Sequence, residues 1–290
     1  MKKNSLLMGL LIVGAIFIFF VIIALALGHQ TQRGSKFALG DKVGVIKITG
    51  VITSAEEIVA DLKDFSEDSS IKAIVLRIDS PGGSVAPSQE IHDFVKQTSE
   101  VKPIVVSMGS VAASGGYYIA VAGQQIVANP GTMTGSIGVI MEFSNYEELL
   151  KKIGWQNFVV KSGQFKDIGS PNRPMSDAER LILQKMIDDV QSQFVDAVAE
   201  GRHLSPAKVR EVADGRIMTG RQALEAGLVD KLGGLETAIE IAADLAGITD
   251  PKVVYPVQPR PKLIDFLMQE ATKNFFQILQ QQGGLKFNFL

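Results

Sequence analysis

Between Lys42 and Pro130 the sequence alternates short β-branched runs with stretches whose apolar residues recur at helical spacing, and this alternation constrains the fold most. "KVGVIKITGVI" and "IKAIVLRIDSPGGS" are strand-like runs closed by glycine turns. Between them "SAEEIVADLKDFSED" sets Ile58, Leu62 and Phe65 on one helical face, with Ser54 placed as N-cap. The pattern continues with a helix over about Ser88–Gln97, the strand "KPIVVSMG", a helix over about Ser114–Ala122 and the strand "QQIVANP". Strands joined through helices pair in parallel, so the expectation is a layered α/β domain built of βαβ units.

The texture changes from Asn145 onward. "SNYEELLKKIGW" and "SDAERLILQKMIDDVQSQFVDAVAEGRHL" read as helices, the second opening on a Ser176-x-x-Glu179 capping box, and shorter helices are expected near Ser205–Ala213, Thr219–Ala226 and Leu235–Leu245. No long linker divides the region, so residues 42–248 form one expected domain. Residues 249–290 are a separate segment, in which Pro256, Pro259 and Pro261 are followed by Ile264, Leu267, Met268, Ala271, Phe275, Ile278 and Leu279 on one helical face.

At the other end, Lys2 and Lys3 precede an uncharged run from Ser5 to Gly28 that would reach about 36 Å as a helix, enough to span a bilayer. The expectation is a transmembrane anchor over residues 1–28, followed by a polar juxtamembrane linker over 29–41. Lysines on the short side favour keeping that end cytoplasmic and the domain extracytoplasmic. A cleavable signal peptide ending in the Ala24-x-Ala26 pattern is the competing reading.

Composition narrows the chemistry. With 29 basic against 31 acidic residues the chain carries no footprint for nucleic acid, and with no cysteine it has neither thiol catalysis nor thiolate metal sites. "GRIMTGRQ" resembles a phosphate loop but places Arg221 and Gln222 where Lys and Ser/Thr are required. No ligand cluster suggests a metal, and no cofactor is expected. The three histidines, His29, His92 and His203, all lie outside the stretch from Ser114 to Gly201.

The stretch "SMGSVAASGGYYIAVAG" surrounds Ser114 with residues too small to hide it, which suits either a close helix-packing seam or a nucleophile at a strand-to-helix turn. A serine can be activated without histidine by a lysine held neutral. "NFVVKSGQFKDIGSPNRPMS" begins with a β-type run and then offers Lys161 and Lys166, and spacing alone does not choose between them.

Taken together, "RIDSPGGSV", "SMGSVAASGGYYIA", "GTMTGSIGVI", "VVKSGQFKDIGSPNRPMSDAER" and "ADGRIMTGRQALEAGLVDKLGG" resemble, in order and distance, the signal peptide peptidase A family of membrane-anchored bacterial serine peptidases, in its short single-domain form. The resemblance covers about Val43 to Leu245. It implies a Clp-protease/crotonase-like fold and a Ser-Lys dyad with Ser114 as nucleophile and Lys166 as general base. The oxyanion hole would be the backbone N–H groups of Gly83 and Gly115, and Ser136 would orient the lysine. It further implies hydrolysis of remnant signal peptides or other apolar peptides at the bacterial inner or plasma membrane, by a homo-oligomer in which neighbouring protomers complete the site. Tyr117 and Tyr118 read as core aromatics, Asp79 and Ser84 as turn-stabilising, and Asp167 as a surface residue. Two other classes stay open: an acyl-CoA hydratase or isomerase on the same fold, and a catalytically silent membrane-tethered scaffold.

Overall fold

The computed structural model describes residues 40–257. In chain order the elements are β1 (Lys42–Thr49), α1 (Glu56–Glu67), β2 (Ile71–Ser80), α2 (Val85–Ser99), β3 (Ile104–Ala113), α3 (Gly115–Ala120), β4 (Gln125–Ala128) and β5 (Met133–Gly135). They continue with α4 (Glu147–Lys152), α5 (Asp177–Arg202), α6 (Pro206–Arg210), β6 (Ile217–Thr219), α7 (Gly220–Glu225), β7 (Lys231–Leu232), α8 (Leu235–Ala246) and β8 (Lys252–Val254). The expected anchor and the amphipathic tail helix lie outside the described residues. Among those described, no helix is long and apolar enough to cross a membrane.

All eight strands form one sheet in the order β6-β5-β3-β2-β1-β8. One edge of β3 is divided, Val105–Ser107 pairing with β4 and Val111–Ala113 with β5, and β4 pairs in turn with β7. Every pairing is parallel except β5 with β6. The sheet is therefore α/β and mostly parallel, with one antiparallel edge that the helix-strand alternation did not foretell.

The strand period of two sorts the core into layers. Ile46, Ile48, Ile74, Leu76, Ile78, Ile104 and Val106 face α1, α2, α3 and α5, whereas Val43, Val45, Ala73, Val75, Val105 and Val127 face α8 through Ala238, Ile239, Ala242 and Ala243. Apolar residues on both faces are what a central parallel strand requires. Tyr117 is fully buried and donates its hydroxyl hydrogen bond to the Leu228 carbonyl at 2.9 Å, tying α3 to the segment before β7. Burial pushes its phenol far above the ordinary tyrosine range.

Two local expectations need correction. The N-cap of α1 is Ala55 and not Ser54, with no side-chain cap, although the Ser54 hydroxyl accepts from the Glu56 N–H at 3.4 Å. Asn157–Lys161 is not a strand: it has no ladder partner, and Phe158 and Val160 stand exposed. β-branched residues favour a strand only where another strand is available to pair.

Tyr117→Phe should leave the Leu228 carbonyl unpaired in an apolar setting and cost about 1–2 kcal/mol, read as a lower denaturation midpoint at unchanged m-value.

Candidate active site

Two strand-to-helix turns meet at the carboxyl ends of β2 and β3. The first is Pro81-Gly82-Gly83. The Ser80 hydroxyl accepts from the Gly82 N–H at 3.1 Å, and Ile52 staples the turn from outside, donating to the Gly82 carbonyl at 2.9 Å and accepting from Ser84 N–H at 2.8 Å. Gly82 has φ +103°, and a Cβ there would lie 2.7 Å from the Gly115 nitrogen and 2.8 Å from the Ser114 Cβ. A Cβ at Gly83 would collide with the Ile52 carbonyl. Only glycine fits either place.

The second turn carries Ser114, the cap residue between β3 and α3, at φ 52° and ψ −122°. A non-glycine residue in that region costs roughly 1–3 kcal/mol and persists only where its surroundings enforce it. Here the enforcement comes from β5: the Ser114 N–H donates to the Gly135 carbonyl at 2.9 Å, while the Ser114 carbonyl accepts from Tyr118 at 2.8 Å. Ser136, next after Gly135, is itself at φ 49° and donates its N–H to the Arg216 carbonyl at 2.8 Å. Neither the Ser114 nor the Ser136 hydroxyl has a hydrogen-bond partner among the described residues.

Gly83 and Gly115 lie against one another, since a Cβ on Gly115 would stand 3.3 Å from the Gly83 nitrogen and 2.5 Å from the Ser88 hydroxyl. Ser114, Gly83 and Gly115 open onto a cavity of about 110 Å³ whose walls are Val85, Tyr118, Val139, Ile140, Val190 and Phe194, with Ser88 and Gln89 as polar lining. A serine hydroxyl, two backbone donors and an apolar recess can hold an acyl group beside a carbonyl whose oxygen sits on the donors.

Tyr118 is not the plain core aromatic expected. It lines this cavity, with its ring 4.9 Å from that of His92 and 5.1 Å from that of Phe194. His92 is buried behind it, with Nδ1 2.9 Å from Asp93 Oδ1, and is not among the lining residues. His203 is the left-handed C-cap of α5. Asp79 accepts from the Val111 N–H at 3.1 Å and so braces β3 more than its own turn. Ser88, Gln89, Val190 and Phe194 escaped sequence reading, although Ser84 and Ser88 already stood one helical turn apart.

The two candidate lysines separate. Lys161 donates to Asp167 Oδ1 at 2.6 Å and to the Gln164 carbonyl at 3.0 Å. Lys166 lies exposed in a turn, does not line the cavity, and its amine has no partner among the described residues. Asp167 is mostly buried rather than a free surface group, bound by Arg173 and Lys161, which hold its carboxyl well below the usual carboxylate range. Among the described residues no three acidic or histidine side chains are grouped to hold a metal.

A mostly parallel α/β sheet with a half-buried serine beside two closely packed glycine turns is a fold of the Clp-protease type, and the Clp protease family profile matches residues 41–134. The profile of peptidase family S49 matches residues 96–249, and the chain belongs to that family. A Synechocystis sp. protein that carries the name of a protease is 49% identical over 223 residues, covering 76% of this chain and 80% of its own. An Enterococcus faecium protein named as a signal peptide peptidase, SppA, is 36% identical over 234 residues, 75% of this chain and 67% of its own. The chloroplastic serine protease SPPA of Arabidopsis thaliana is 36% identical over 228 residues, 77% of this chain but only 34% of its own length.

Gly115→Ala should reduce kcat/KM by roughly tenfold or more, as expected for a displaced oxyanion donor, and Ser88→Ala in the same chain should restore part of the loss because it removes the colliding hydroxyl.

Proposed function

We propose that this chain is a membrane-anchored serine endopeptidase that hydrolyses remnant signal peptides and other apolar peptides through a Ser114-Lys166 dyad. The observation that carries the reading is Ser114 itself: a strained serine with an unpaired hydroxyl, at a strand-to-helix turn, beside the closely packed Gly83 and Gly115. The names of the Enterococcus and Arabidopsis relatives supply the substrate class and the serine chemistry by analogy. The apolar lining of the cavity suits an apolar side chain next to the scissile bond. It includes no acidic side chain of the kind a hydratase or isomerase would use.

In the proposed reaction Ser114 Oγ attacks the peptide carbonyl while neutral Lys166 Nζ takes its proton. The carbonyl oxygen becomes an oxyanion held by the Gly83 and Gly115 N–H groups. Collapse of this intermediate breaks the C–N bond, and the proton passes from Lys166 to the departing amine. Water then attacks the acyl-serine, giving up a proton to the same lysine, and releases the carboxylate product. Ser136, one residue beyond the carbonyl that holds Ser114, is the group proposed to orient the amine.

Because Lys166 is exposed and outside the cavity, the lysine serving one Ser114 is proposed to come from a neighbouring copy in a homo-oligomer. The exposed Ile140, Trp155, Phe158 and Val160 between the two residues give a second copy an apolar surface to cover. The site would face the extracytoplasmic side of the plasma or inner membrane, with the run Ser5–Gly28 as anchor.

Ser114→Ala and Lys166→Ala should each abolish nearly all turnover of a synthetic signal peptide without unfolding the chain, and the double variant should be scarcely worse. Mixing the two dead variants should restore activity if sites are shared between copies. Lys166→Ala with wild-type turnover would refute the dyad.

A further inference from the structure

We propose that Arg173 is a positioning residue, whose guanidinium fastens the turn carrying Lys166 to the first turn of α5. The inference rests on the dyad reading above.

The fastening is complete on the arginine side. Its five N–H groups make five hydrogen bonds: Nε to Asp167 Oδ2 at 3.0 Å, Nη2 to the Asp167 carbonyl at 3.2 Å and to Glu179 Oε1 at 2.5 Å, and Nη1 to Glu179 Oε2 at 2.9 Å and the Pro174 carbonyl at 3.1 Å. A planar fork can satisfy two carboxylates and two carbonyls at once; an ammonium cannot. Asp167 directly follows Lys166, and its other oxygen takes the Lys161 amine, which also holds the Gln164 carbonyl. The turn is thereby pinned on both sides of Lys166, leaving that amine as its unpaired cation among the described residues.

On the far side, Glu179 is 2% exposed and also accepts from the Ser176 N–H and hydroxyl, both at 2.9 Å, as the acidic half of the α5 capping box. The Arg173 bonds, ahead of those from Ser176, hold its carboxyl down to about 2. α5 then runs without interruption to Val190 and Phe194, which wall the cavity at Ser114. The turn that carries Lys166 is thus held to α5 through one arginine and two carboxylates, so the lysine is presented to any neighbouring copy from a fixed support. The sequence spacing Lys161, Asp167, Arg173, Glu179 is six residues at each later step, and no reading of it alone shows that the four meet.

The test compares full-length Arg173→Gln and Asp167→Asn with wild type, Lys166→Ala and Arg202→Gln, measuring kcat and KM on an apolar peptide, with assembly mass checked by sedimentation. Arg202 is the comparator because it pairs with Asp230 and the Gly227 carbonyl at the opposite end of α5. Arg173→Gln and Asp167→Asn should each lower kcat by roughly tenfold or more while KM stays within about twofold. Arg202→Gln should lower the melting temperature alone. A folded, assembled Asp167→Asn enzyme with wild-type kcat overturns the inference; so does Arg202→Gln losing kcat as severely as Arg173→Gln. If Arg173→Gln does not fold, Asp167→Asn decides, since it keeps the Arg173-Glu179 bonds. An inactive Lys166→Ala beside such results leaves the dyad standing, whereas an active one removes the dyad and this inference together.

Discussion

The site depends on how closely two backbone turns approach one another. Gly82 and Gly83 after β2 lie against Ser114 and Gly115 after β3 at separations that leave no room for a Cβ at Gly82, and none at Gly115 without displacing Ser88. That contact follows from parallel pairing: β2 and β3 run side by side from Ile74 with Ile104 to Ser80 with Ala112, so both strands end at the same edge. Helices α2 and α3 must then start next to one another. Two chain reversals are forced into one small volume without any side chain being needed to hold them, and small residues are the only ones that pack there.

The strain at Ser114 has an identifiable source of support. β5 is three residues long, yet it donates no side chain to the cavity; its contribution is the Gly135 carbonyl that accepts the Ser114 N–H. β6 completes that short strand from the other side in antiparallel register, Gly135 opposite Ile217, and the Arg216 carbonyl fixes Ser136. The late segment Arg216–Thr219 therefore supports the geometry of a residue a hundred positions earlier. Such support by backbone alone explains why the sequence around β6 needs no reactive side chain to matter to the site.

What could be read directly from the residues was whatever local chemistry decides. β-branched runs ending in glycine gave β1, β2 and β3, and Ser176 with Glu179 gave the start of α5, because capping is settled within one turn. Ser114 stood out for the small residues around it, which suit a packing seam as well as a nucleophile, and Gly83 and Gly115 were named through the family resemblance. The rest depended on partners distant in sequence. Asn157–Val160 has strand propensity and no strand to join. Tyr118 has the composition of a core aromatic but stands at the cavity, since α5 approaches it through Phe194. Asp167 reads as a surface aspartate until Arg173 folds back over it. Spacing did not choose between Lys161 and Lys166, and the resemblance named Lys166; in the structure the two differ in that Lys161 pairs with Asp167.

That distinction bears on how a base of this kind is kept available. A lysine amine near a carboxylate is held as ammonium, and a base must be neutral when the nucleophile gives up its proton. The turn resolves this by giving Asp167 two other cations, Lys161 and Arg173, which leave its oxygens occupied although it directly follows Lys166 in the chain. The same bonds hold the turn to α5. Electrostatics and positioning are served by one cluster, so a change to any of its four members is expected to disturb both.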